Sequence, residues 1–513
     1  MSQEANPLHA TKGPATTAHE AATDPHGQGE SSHTLKSRMA RGSAWALVGY
    51  ASSQALRLVS NLILWRLLNA EVFGIMAIIN VLMQGLGMFS DVGIGPAVVQ
   101  HERGDDPIYL NTAWTIQIIR GFCLFLVGCI LAAPVAAFYK QPQLAALIPV
   151  VAFGAAISGF NSTRLFTLAR KVALGRLTAL DMGTQIVGLV VMLVGAWSNR
   201  SIWAIVIGGL ASNLARVILS HTYLPGIRNH LRWDSTCVRT LLRFGRWVFF
   251  SSLLSFMVMQ SDRLIFGKLI PLSLLGVYSI ALTWATLPAA VFEHVFRSVL
   301  FPLLSRLRQQ GTDFSSELLK ARTPWLLLGG WSTACLMSGG PTLIRLLYDA
   351  RATSAGWIIQ VLAAAAWLML LESANATSLL ALGEPMRLAA DNAAKLVGMI
   401  VFIPLGYARL GFPGAVAGFA ASDLLRYATS VYGARRHKVA CLGQDVWMSV
   451  LVIATTGMGM LAARWITPSL RAIAWHPARL GVVLEGLVIT LFVSIGWGWV
   501  YLRERSRRHT QLG

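Results

Sequence analysis

Long apolar runs follow one another along most of this chain, and they restrict it to one kind of fold. About 20 apolar residues, at a rise of 1.5 Å each, cross the hydrocarbon core of a bilayer as a helix. Because the breaks between the runs leave no room for a soluble domain, we predict an all-α polytopic membrane protein. The fourteen predicted spans are residues 43–68, 74–98, 111–138, 144–166, 178–197, 202–224, 247–268, 275–298, 323–347, 357–380, 388–407, 413–433, 446–463 and 480–501.

Composition agrees with this fold class and excludes most soluble ones. Of the 513 residues, 55% are hydrophobic and only 13% are charged, and the mean hydropathy is +0.56. A soluble protein of this length needs more polar residues to cover its surface. The net charge of +20 does not require nucleic acid as a partner, because basic cytoplasmic loops produce the same excess. The five cysteines have no metal-ligand spacing, so no metal or cofactor is expected.

Lysine and arginine residues concentrate in alternate breaks between the predicted spans. Cytoplasmic loops carry such an excess, so both termini are predicted to be cytoplasmic. The predicted segments are a disordered cytoplasmic tail at 1–35, an N-terminal lobe at 36–225, a basic cytoplasmic linker at 226–246, a C-terminal lobe at 247–438, a helix pair at 439–502 and a basic cytoplasmic tail at 503–513.

An internal repeat sets the expected arrangement of these spans. RLLNAEVFGIMAII lies over KLIPLSLLGVYSIA at an offset of 202, which pairs Gly74 with Gly276. Further along, the offset becomes 210 and pairs Arg216 with Arg426. Each copy holds six predicted spans, an even number, so both copies enter the membrane in the same sense. Two parallel lobes with a substrate site between them are predicted, which is transporter architecture.

Three segments within this repeat resemble a known family. They are DVGIGPAVVQ at 91–100, QSDRLIFGKLIPLSLLGVYSIA at 260–281 and HVFRSVLFPLLSRLR at 294–308. With the two six-span lobes and the extra helix pair, they resemble the polysaccharide transporter family, the Wzx-like oligosaccharide flippases of the MOP superfamily. The resemblance covers roughly residues 36 to 440.

The resemblance implies a substrate, a location and a mechanism. The implied substrate is a polyprenyl-diphosphate-linked oligosaccharide repeat unit, used for exopolysaccharide, capsule or O-antigen. The implied location is the bacterial inner membrane, among membrane lipids, and the implied mechanism is alternating access of the two lobes. The polymerase and export machinery of the same pathway are candidate partners. A cavity with guanidinium groups can bind a diphosphate through charge-assisted bonds.

The first predicted span carries a polar stripe with an arginine near its middle. Gln54, Arg57 and Asn61 lie at positions i, i+3 and i+7, so they share one face of the helix. Because a charge at this depth is costly, the stripe is expected to face a polar cavity, unless Arg57 bonds neighbouring carbonyls or snorkels. For other arginines within spans, an internal ion pair is the alternative. The candidate substrate-binding residues are Arg57, Asn61, Arg120, Arg216 and Arg263.

Acidic residues within the spans are candidates for coupling or gating. Asp91 and Glu293 occupy matched positions in the two copies, and Glu372 has no evident partner in the sequence. Asp391 and Lys395 have the i, i+4 spacing of an intrahelical salt bridge. The candidate coupling or gating residues are Asp91, Asp262, Glu293, Glu372, Asp391 and Lys395.

Two other functions stay open at this point. A cation-coupled exporter of small molecules, of the MATE type, would favour acidic and aromatic cavity walls over arginines. A membrane-embedded polymerase or ligase acting on lipid-linked sugars would be expected to have a large extracytoplasmic loop. No Walker loop, HExxH motif or GxSxG elbow is found, so a non-enzymatic transporter is predicted.

Overall fold

The computed structural model describes residues 32–89, 94–171, 173–309, 314–437, 439–473 and 478–510, which are almost entirely helical. A π-helical turn, Phe296–Leu300, joins α10 to α11, and a 3₁₀ turn, Ala350–Ala352, precedes α13. The predicted tail lies outside the described residues except for 32–35, which begin α1. The helices are α1 (Ser32–Leu67), α2 (Ala70–Phe89), α3 (Ile94–Gln100), α4 (Pro107–Tyr139), α5 (Gln143–Gly159), α6 (Arg164–Arg170), α7 (Leu174–Asn199), α8 (Trp203–Thr222), α9 (Ser235–Leu269), α10 (Leu272–Val295), α11 (Phe301–Gln309), α12 (Phe314–Leu347), α13 (Ala355–Ala381), α14 (Pro385–Arg436), α15 (Leu442–Ile473) and α16 (Ala478–Thr510).

Apolar composition makes many of these helices suited to a bilayer. Nine helices among the described residues are long and apolar enough to cross a membrane, and α5 with α6, bent by 63° at their break, makes a tenth span if the two count as one. Helices α1, α9 and α12 have 36, 35 and 34 residues but carry more polar side chains. The chain is therefore a multi-pass membrane protein, as predicted, while the number of fourteen spans stays a prediction.

Helix α14 contains two of the predicted spans. Its backbone turns at Gly411, where a φ of 63° favours glycine. The two halves then pack closely against each other. A Cβ on Gly414 would lie 2.1 Å from the carbonyl oxygen of Gly406, and one on Gly418 would lie 2.2 Å from that of Phe402. Small residues at these four-residue intervals therefore allow the two halves to meet.

The two copies of the repeat meet at the crossing of α2 and α10. We call α1 to α8 the N-lobe and α9 to α14 the C-lobe. A Cβ on Gly74 would lie 2.1 Å from the carbonyl oxygen of Leu272, and one on Gly276 would lie 2.2 Å from that of Ala70. These two contacts are equivalent, because the offset of 202 relates Gly74 to Gly276 and Ala70 to Leu272. An approximate two-fold axis thus passes between α2 and α10, as expected for parallel lobes.

The segment that joins the lobes is fastened to the N-lobe. Arg164 is buried and donates hydrogen bonds to the carbonyl oxygens of Leu224 at 2.7 Å and Ile227 at 2.8 Å. Helix α9 begins at Ser235, so the second half of the predicted linker at 226–246 is helical. The non-helical part of the linker therefore ends at Asp234, whose carboxylate caps α9.

Two ion pairs attach the last two helices to the C-lobe. Arg322 of α12 pairs with Asp445 of α15, and both side chains are fully buried, so removing one partner of this pair is strongly destabilising. Arg345 of α12, which is partly exposed, lies 2.6 Å from Glu485 of α16. The helix pair is therefore a fixed part of the C-lobe.

Candidate substrate cavity

A cavity of about 730 Å³ lies between α1, α2, α7 and α8, with one wall from α9 and α10. Most of its lining comes from the N-lobe. The polar lining residues are Ser53, Gln54, Arg57, Ser60, Asn61, Asn80, Gln84, Gln185, Ser212, Asn213, Arg263, Ser279 and Thr283. A cavity of this size with several polar groups is typical of a ligand-binding site.

The polar stripe of α1 faces this cavity. Gln54, Arg57 and Asn61 all line it, as their helical spacing predicts. Helix α1 is oriented by α7, since Ser53 Oγ and the side-chain amide of Gln185 lie within 2.9 Å of each other. Within the part of the chain that the structure describes, the guanidinium of Arg57 has no hydrogen-bond or ion-pair partner. Arg57 is therefore available to an anion in the cavity.

The second arginine of the cavity comes from the C-lobe. Arg263 Nη1 donates a hydrogen bond of 2.7 Å to Gln260 Oε1. Its neighbour Asp262 faces the other way, is buried, and accepts a hydrogen bond of 2.8 Å from the hydroxyl of Tyr278. The two adjacent charges thus occupy different environments, one in the cavity and one in the core.

The cavity is positive and rich in neutral hydrogen-bonding groups. Its lining residues, as far as the structure describes them, include no aspartate or glutamate. Two guanidinium groups suit a phosphate or carboxylate, and side-chain amides and hydroxyls suit sugar hydroxyls. No group of three or more His, Cys, Asp or Glu side chains placed to hold a metal ion occurs among the described residues.

Two of the predicted substrate-binding arginines lie outside the cavity lining. Arg120 donates a hydrogen bond of 2.7 Å to the carbonyl oxygen of Gly87. Arg216 of α8 forms an ion pair of 2.8 Å with Asp181 of α7. For Arg216 the structure therefore matches the alternative stated above, an internal ion pair.

The C-lobe holds a cluster of charges between α13 and the two halves of α14. Glu372 lies 2.9 Å from Arg426, and Lys395 lies 2.8 Å from Asp423. Asp391 is 1% exposed, and its Oδ2 has no hydrogen-bond partner among the described residues. Three buried carboxylates thus surround two cations in the interior of the C-lobe.

Glu372, which has no evident partner in the sequence, is paired with Arg426, because the second half of α14 packs beside α13. One prediction about this cluster is wrong. Lys395 pairs with Asp423 rather than with Asp391, since the turn at Gly411 brings the two halves of α14 face to face. Sequence reasoning overlooked Asp423, although the repeat places it opposite Asn213 at the offset of 210.

Asp91 and Glu293 are the acids at matched positions of the repeat. Glu293 forms an ion pair of 2.6 Å with Arg297, one turn further along the chain. Asp91 lies outside the described residues. Glu293 is not among the residues that line the cavity.

At one end of the molecule, α1 is fastened to the loop between α12 and α13. Trp65 Nε1 donates a hydrogen bond of 3.1 Å to Asp349 Oδ1. Arg351 donates to the carbonyl oxygens of Trp65 at 2.8 Å and Leu68 at 3.0 Å. Arg351 also bonds Asp349 at 2.6 Å, and this bond lowers the pKa of the Asp349 carboxyl. We call Trp65, Asp349 and Arg351 the latch, since these residues join the two lobes.

Two further bonds between the lobes are related by the repeat. Arg66 Nη2 donates a hydrogen bond of 3.3 Å to the carbonyl oxygen of Leu347, and Lys268 Nζ donates one of 2.7 Å to that of Phe138. Arg66 and Lys268 are equivalent at the offset of 202. Each lobe therefore presents a cation to a helix C-terminus of the other, where the helix dipole favours positive charge.

Comparison with known proteins gives a family and a fold. The family model described as "Polysaccharide biosynthesis protein" matches residues 63–368. The chain is 24% identical to the succinoglycan biosynthesis transport protein ExoT of Rhizobium meliloti (strain 1021), over 57% of this chain and 60% of that protein. It is 21% identical to the teichuronic acid biosynthesis protein TuaB of Bacillus subtilis (strain 168), over 57% and 61%. The matches therefore span about three fifths of these relatives' own length.

Solved structures share the fold at low sequence identity. The lipid II flippase MurJ, in an inward closed conformation, superposes with a TM-score of 0.68 at 12% identity, covering 89% of this chain and 98% of that one. An inward-facing multidrug resistance MATE family transporter of the MOP superfamily gives 0.59 at 13% identity, covering 76% and 96%. The predicted all-α, MOP-type fold class is confirmed.

Proposed function

Because this chain belongs to the polysaccharide biosynthesis protein family, we propose that it is a flippase for polyprenyl-diphosphate-linked oligosaccharide repeat units. The proposed location is the bacterial inner membrane, with both termini in the cytoplasm. The observation that carries the proposal is the cavity, whose lining contains Arg57 and Arg263 and, within the described part of the chain, no carboxylate. A diphosphate and sugars cannot cross hydrocarbon unaided, because buried charge and unpaired hydroxyls are costly.

In this proposal different residues of the cavity bind different parts of the substrate. Arg57 and Arg263 bind the diphosphate, since a guanidinium makes paired hydrogen bonds to phosphate oxygens. Asn61 and the other amides and hydroxyls of the lining bind the sugar next to it. The polyprenyl chain stays in the bilayer. The protein forms and breaks no covalent bond, and its role is to bind and release.

The bonds between the lobes indicate which side of the cavity is closed. With the N-terminus inside, α1 runs outward, so the latch lies at the extracytoplasmic end. The crossing of Gly74 and Gly276 lies near the same end. We infer that this state loads from the cytoplasm and that parting of the latch releases the substrate outside. Asp91 and Glu293 are proposed to act at the cytoplasmic end, and Arg120 and Arg216 to support the helices there.

The charge cluster of the C-lobe is the proposed coupling element. Glu372, Asp391 and Asp423 interact with Lys395, Arg426 and Arg387, so uptake of a proton or another cation by one of the carboxylates would change which of these charges are paired. Asp262, buried beside the cavity wall, is proposed to belong to the same element. The driving ion would bind or leave as the lobes move.

Analysis of the lipid-linked intermediates tests the function. We expect a deletion strain to accumulate complete, unpolymerised repeat units on polyprenyl diphosphate, detected by mass spectrometry of extracted lipids. Expression of the wild-type chain should clear them. An unchanged pool, together with altered sensitivity to cationic dyes, would reject the flippase and favour a MATE-like exporter.

A further inference from the structure

A buried amide, Gln260, connects the cavity to the contact between the lobes. Its Oε1 accepts a hydrogen bond of 2.7 Å from Arg263 Nη1, and its Nε2 donates one of 2.5 Å to Gln84 Oε1. Gln260 is on α9 and Gln84 is on α2, so the second bond crosses from one lobe to the other. Only 3% of the surface of Gln260 is exposed.

Close packing on either side of this amide fixes the distance between α2 and α9. A Cβ on Gly85 would lie 2.8 Å from the ring of Phe256, one turn before Gln260. On the other side, a Cβ on Gly267 would lie 3.5 Å from Ile78. The Gln84–Gln260 bond is therefore formed only while the two helices are in contact.

The chemistry of the amide suits a support for a cationic ligand group. A carboxylate at this position would neutralise Arg263, whereas the amide oxygen orients the guanidinium and leaves its charge available. The bond to Gln260 uses one of the five donors of the guanidinium, and no other hydrogen bond or ion pair of Arg263 is found within the described residues. The remaining donors can bind a ligand in the cavity.

We propose that Gln260 is a positioning residue, which orients Arg263 toward the anionic group of the substrate and, through Gln84, makes this orientation depend on contact between the lobes. The inference rests on the proposed function, because it assigns Arg263 to the diphosphate. Parting of α2 from α9 breaks the Gln84–Gln260 bond and frees Gln260. Arg263 then loses its support, and the anion site weakens as the outer side opens.

This arrangement couples binding to conformation in both directions. Arg57 belongs to the N-lobe and Arg263 to the C-lobe, so the diphosphate site is complete only when the lobes are in contact. By linkage, a bound diphosphate must stabilise the α2–α9 contact by the same factor by which that contact strengthens binding. Release outside then follows from opening, without any change in Arg57.

A double-mutant cycle separates this role from a purely structural one. The probe is a polyprenyl diphosphate carrying a single sugar, and its affinity for the purified full chain in nanodiscs is measured. Gln260→Met removes both hydrogen bonds at similar volume and is expected to weaken binding about tenfold, as for a lost bond to a charged group. Gln84→Met is expected to have a smaller effect of the same sign. In an Arg263→Ala background, Gln260→Met should cause no further loss.

Two control variants complete the experiment. Gln360→Met removes a bond of 2.8 Å to the carbonyl oxygen of Met337, away from the cavity, and should leave affinity unchanged. Gln260→Glu keeps an acceptor beside Arg263 but neutralises its charge, so affinity should fall while thermal stability is kept. An equal loss from Gln260→Met with and without Arg263 would overturn the inference. Absence of any binding by the wild-type chain would instead reject the proposed function.

Discussion

The two lobes place different chemistry at equivalent positions of the repeat. In the N-lobe, Gln185 and Asn213 line the open cavity. Their equivalents at the offset of 210 are Lys395 and Asp423, which form a buried ion pair. Duplication therefore preserved the helices while the polar positions diverged, one copy toward neutral groups that contact a ligand and the other toward charges that satisfy one another.

A second pair of equivalent positions explains why the space open in the N-lobe is filled at the matching place in the C-lobe. Gly209 lines the N-lobe cavity, and a Cβ there would meet no atom within 4 Å. Its equivalent at the offset of 210 is Phe419, whose ring lies 5.1 Å from Lys395 Nζ and 6.5 Å from the ring of Tyr278. The C-lobe thus fills with an aromatic ring the space that the N-lobe leaves open.

Arg216 and Arg426, which are equivalent at the offset of 210, pair with acids at non-equivalent positions. Asp181 and Arg216 pair with each other in the N-lobe. In the C-lobe, Arg426 pairs with Glu372, and Asp391 Oδ2 has no hydrogen-bond partner among the described residues. The additional carboxylate of Glu372 therefore gives the C-lobe a larger buried charge cluster than the N-lobe has at the equivalent positions.

The largest effect is expected when Lys395 of the buried C-lobe ion pair is replaced by glutamine, the residue at the equivalent position in the N-lobe. Lys395→Gln leaves Asp423 buried without its cation and should lower the free energy of unfolding by about 3–5 kcal/mol. Adding Asp423→Asn recreates the N-lobe amide pair and should restore much of that loss without restoring transport. Thermal unfolding and export assays measure the two quantities. Full transport by the double variant would show that the ion pair has no coupling role.

Removal of Arg57, the cation of the N-lobe that lines the cavity, should have the next largest effect. Arg57→Ala is expected to abolish polymer export while leaving membrane insertion intact, since a hydrogen bond to a charged group contributes about 1.5–3 kcal/mol. Arg216→Ala is the matched control, because its charge is already paired with Asp181 outside the cavity. Normal export with Arg57→Ala as the sole copy would remove Arg57 from the substrate site.

Filling the N-lobe cavity should make it resemble the C-lobe. Gly209→Phe places the equivalent of Phe419 in open space, so we expect weaker substrate binding by roughly 1–3 kcal/mol, the usual cost of overfilling, with little change in unfolding temperature. Gly457→Phe on α15 is the control, since a Cβ there also meets no atom within 4 Å but lies outside the cavity. Equal binding by both variants would show that the substrate does not use this space.

The smallest effect is expected at the latch. Asp349→Asn weakens the contact of the C-lobe with Trp65 and should increase labelling of Ser279→Cys by an impermeant thiol reagent, up to about fivefold for a partly exposed ion pair. The assay needs a background without the five native cysteines, which are free. Glu317→Gln, in an exposed pair with Lys320, is the control. Unchanged labelling would mean that the latch does not restrict access.

Acidification below the ordinary aspartate pKa should weaken the latch, as Asp349→Asn does. Because the bond from Arg351 lowers the pKa of Asp349 in the folded state, its contribution is present above the ordinary aspartate pKa of about 3.9 and is lost as pH falls below that value. Labelling of Ser279→Cys, expressed relative to a fully exposed reference cysteine at the same pH because the reactive thiolate fraction itself falls with pH, should therefore stay constant between neutral pH and about pH 5. An increase within that range would assign control of access to another group.

Local features of the sequence predicted much of this molecule. The polar stripe of α1 was predicted correctly because its spacing of three and four residues depends only on the period of the helix. The repeat likewise paired Gly74 with Gly276, and the structure places both glycines at the crossing of α2 and α10. The pairing of Asp391 with Lys395 was wrong, since an intrahelical spacing permits a bond but cannot exclude a closer partner from another helix.

The sequence by itself determined the membrane fold, the duplication and the basic face of the first helix. These follow from apolar length, periodicity and composition, which act along the chain. Only the tertiary structure decided that Arg57 and Arg263 line one cavity, that Asp423 pairs with Lys395, and that Gln260 bonds Gln84. Those contacts connect residues on different helices, and Gln84 and Gln260 are 176 positions apart. Such pairings depend on how the lobes pack, because the energy of a buried polar group is set by the partner that packing supplies.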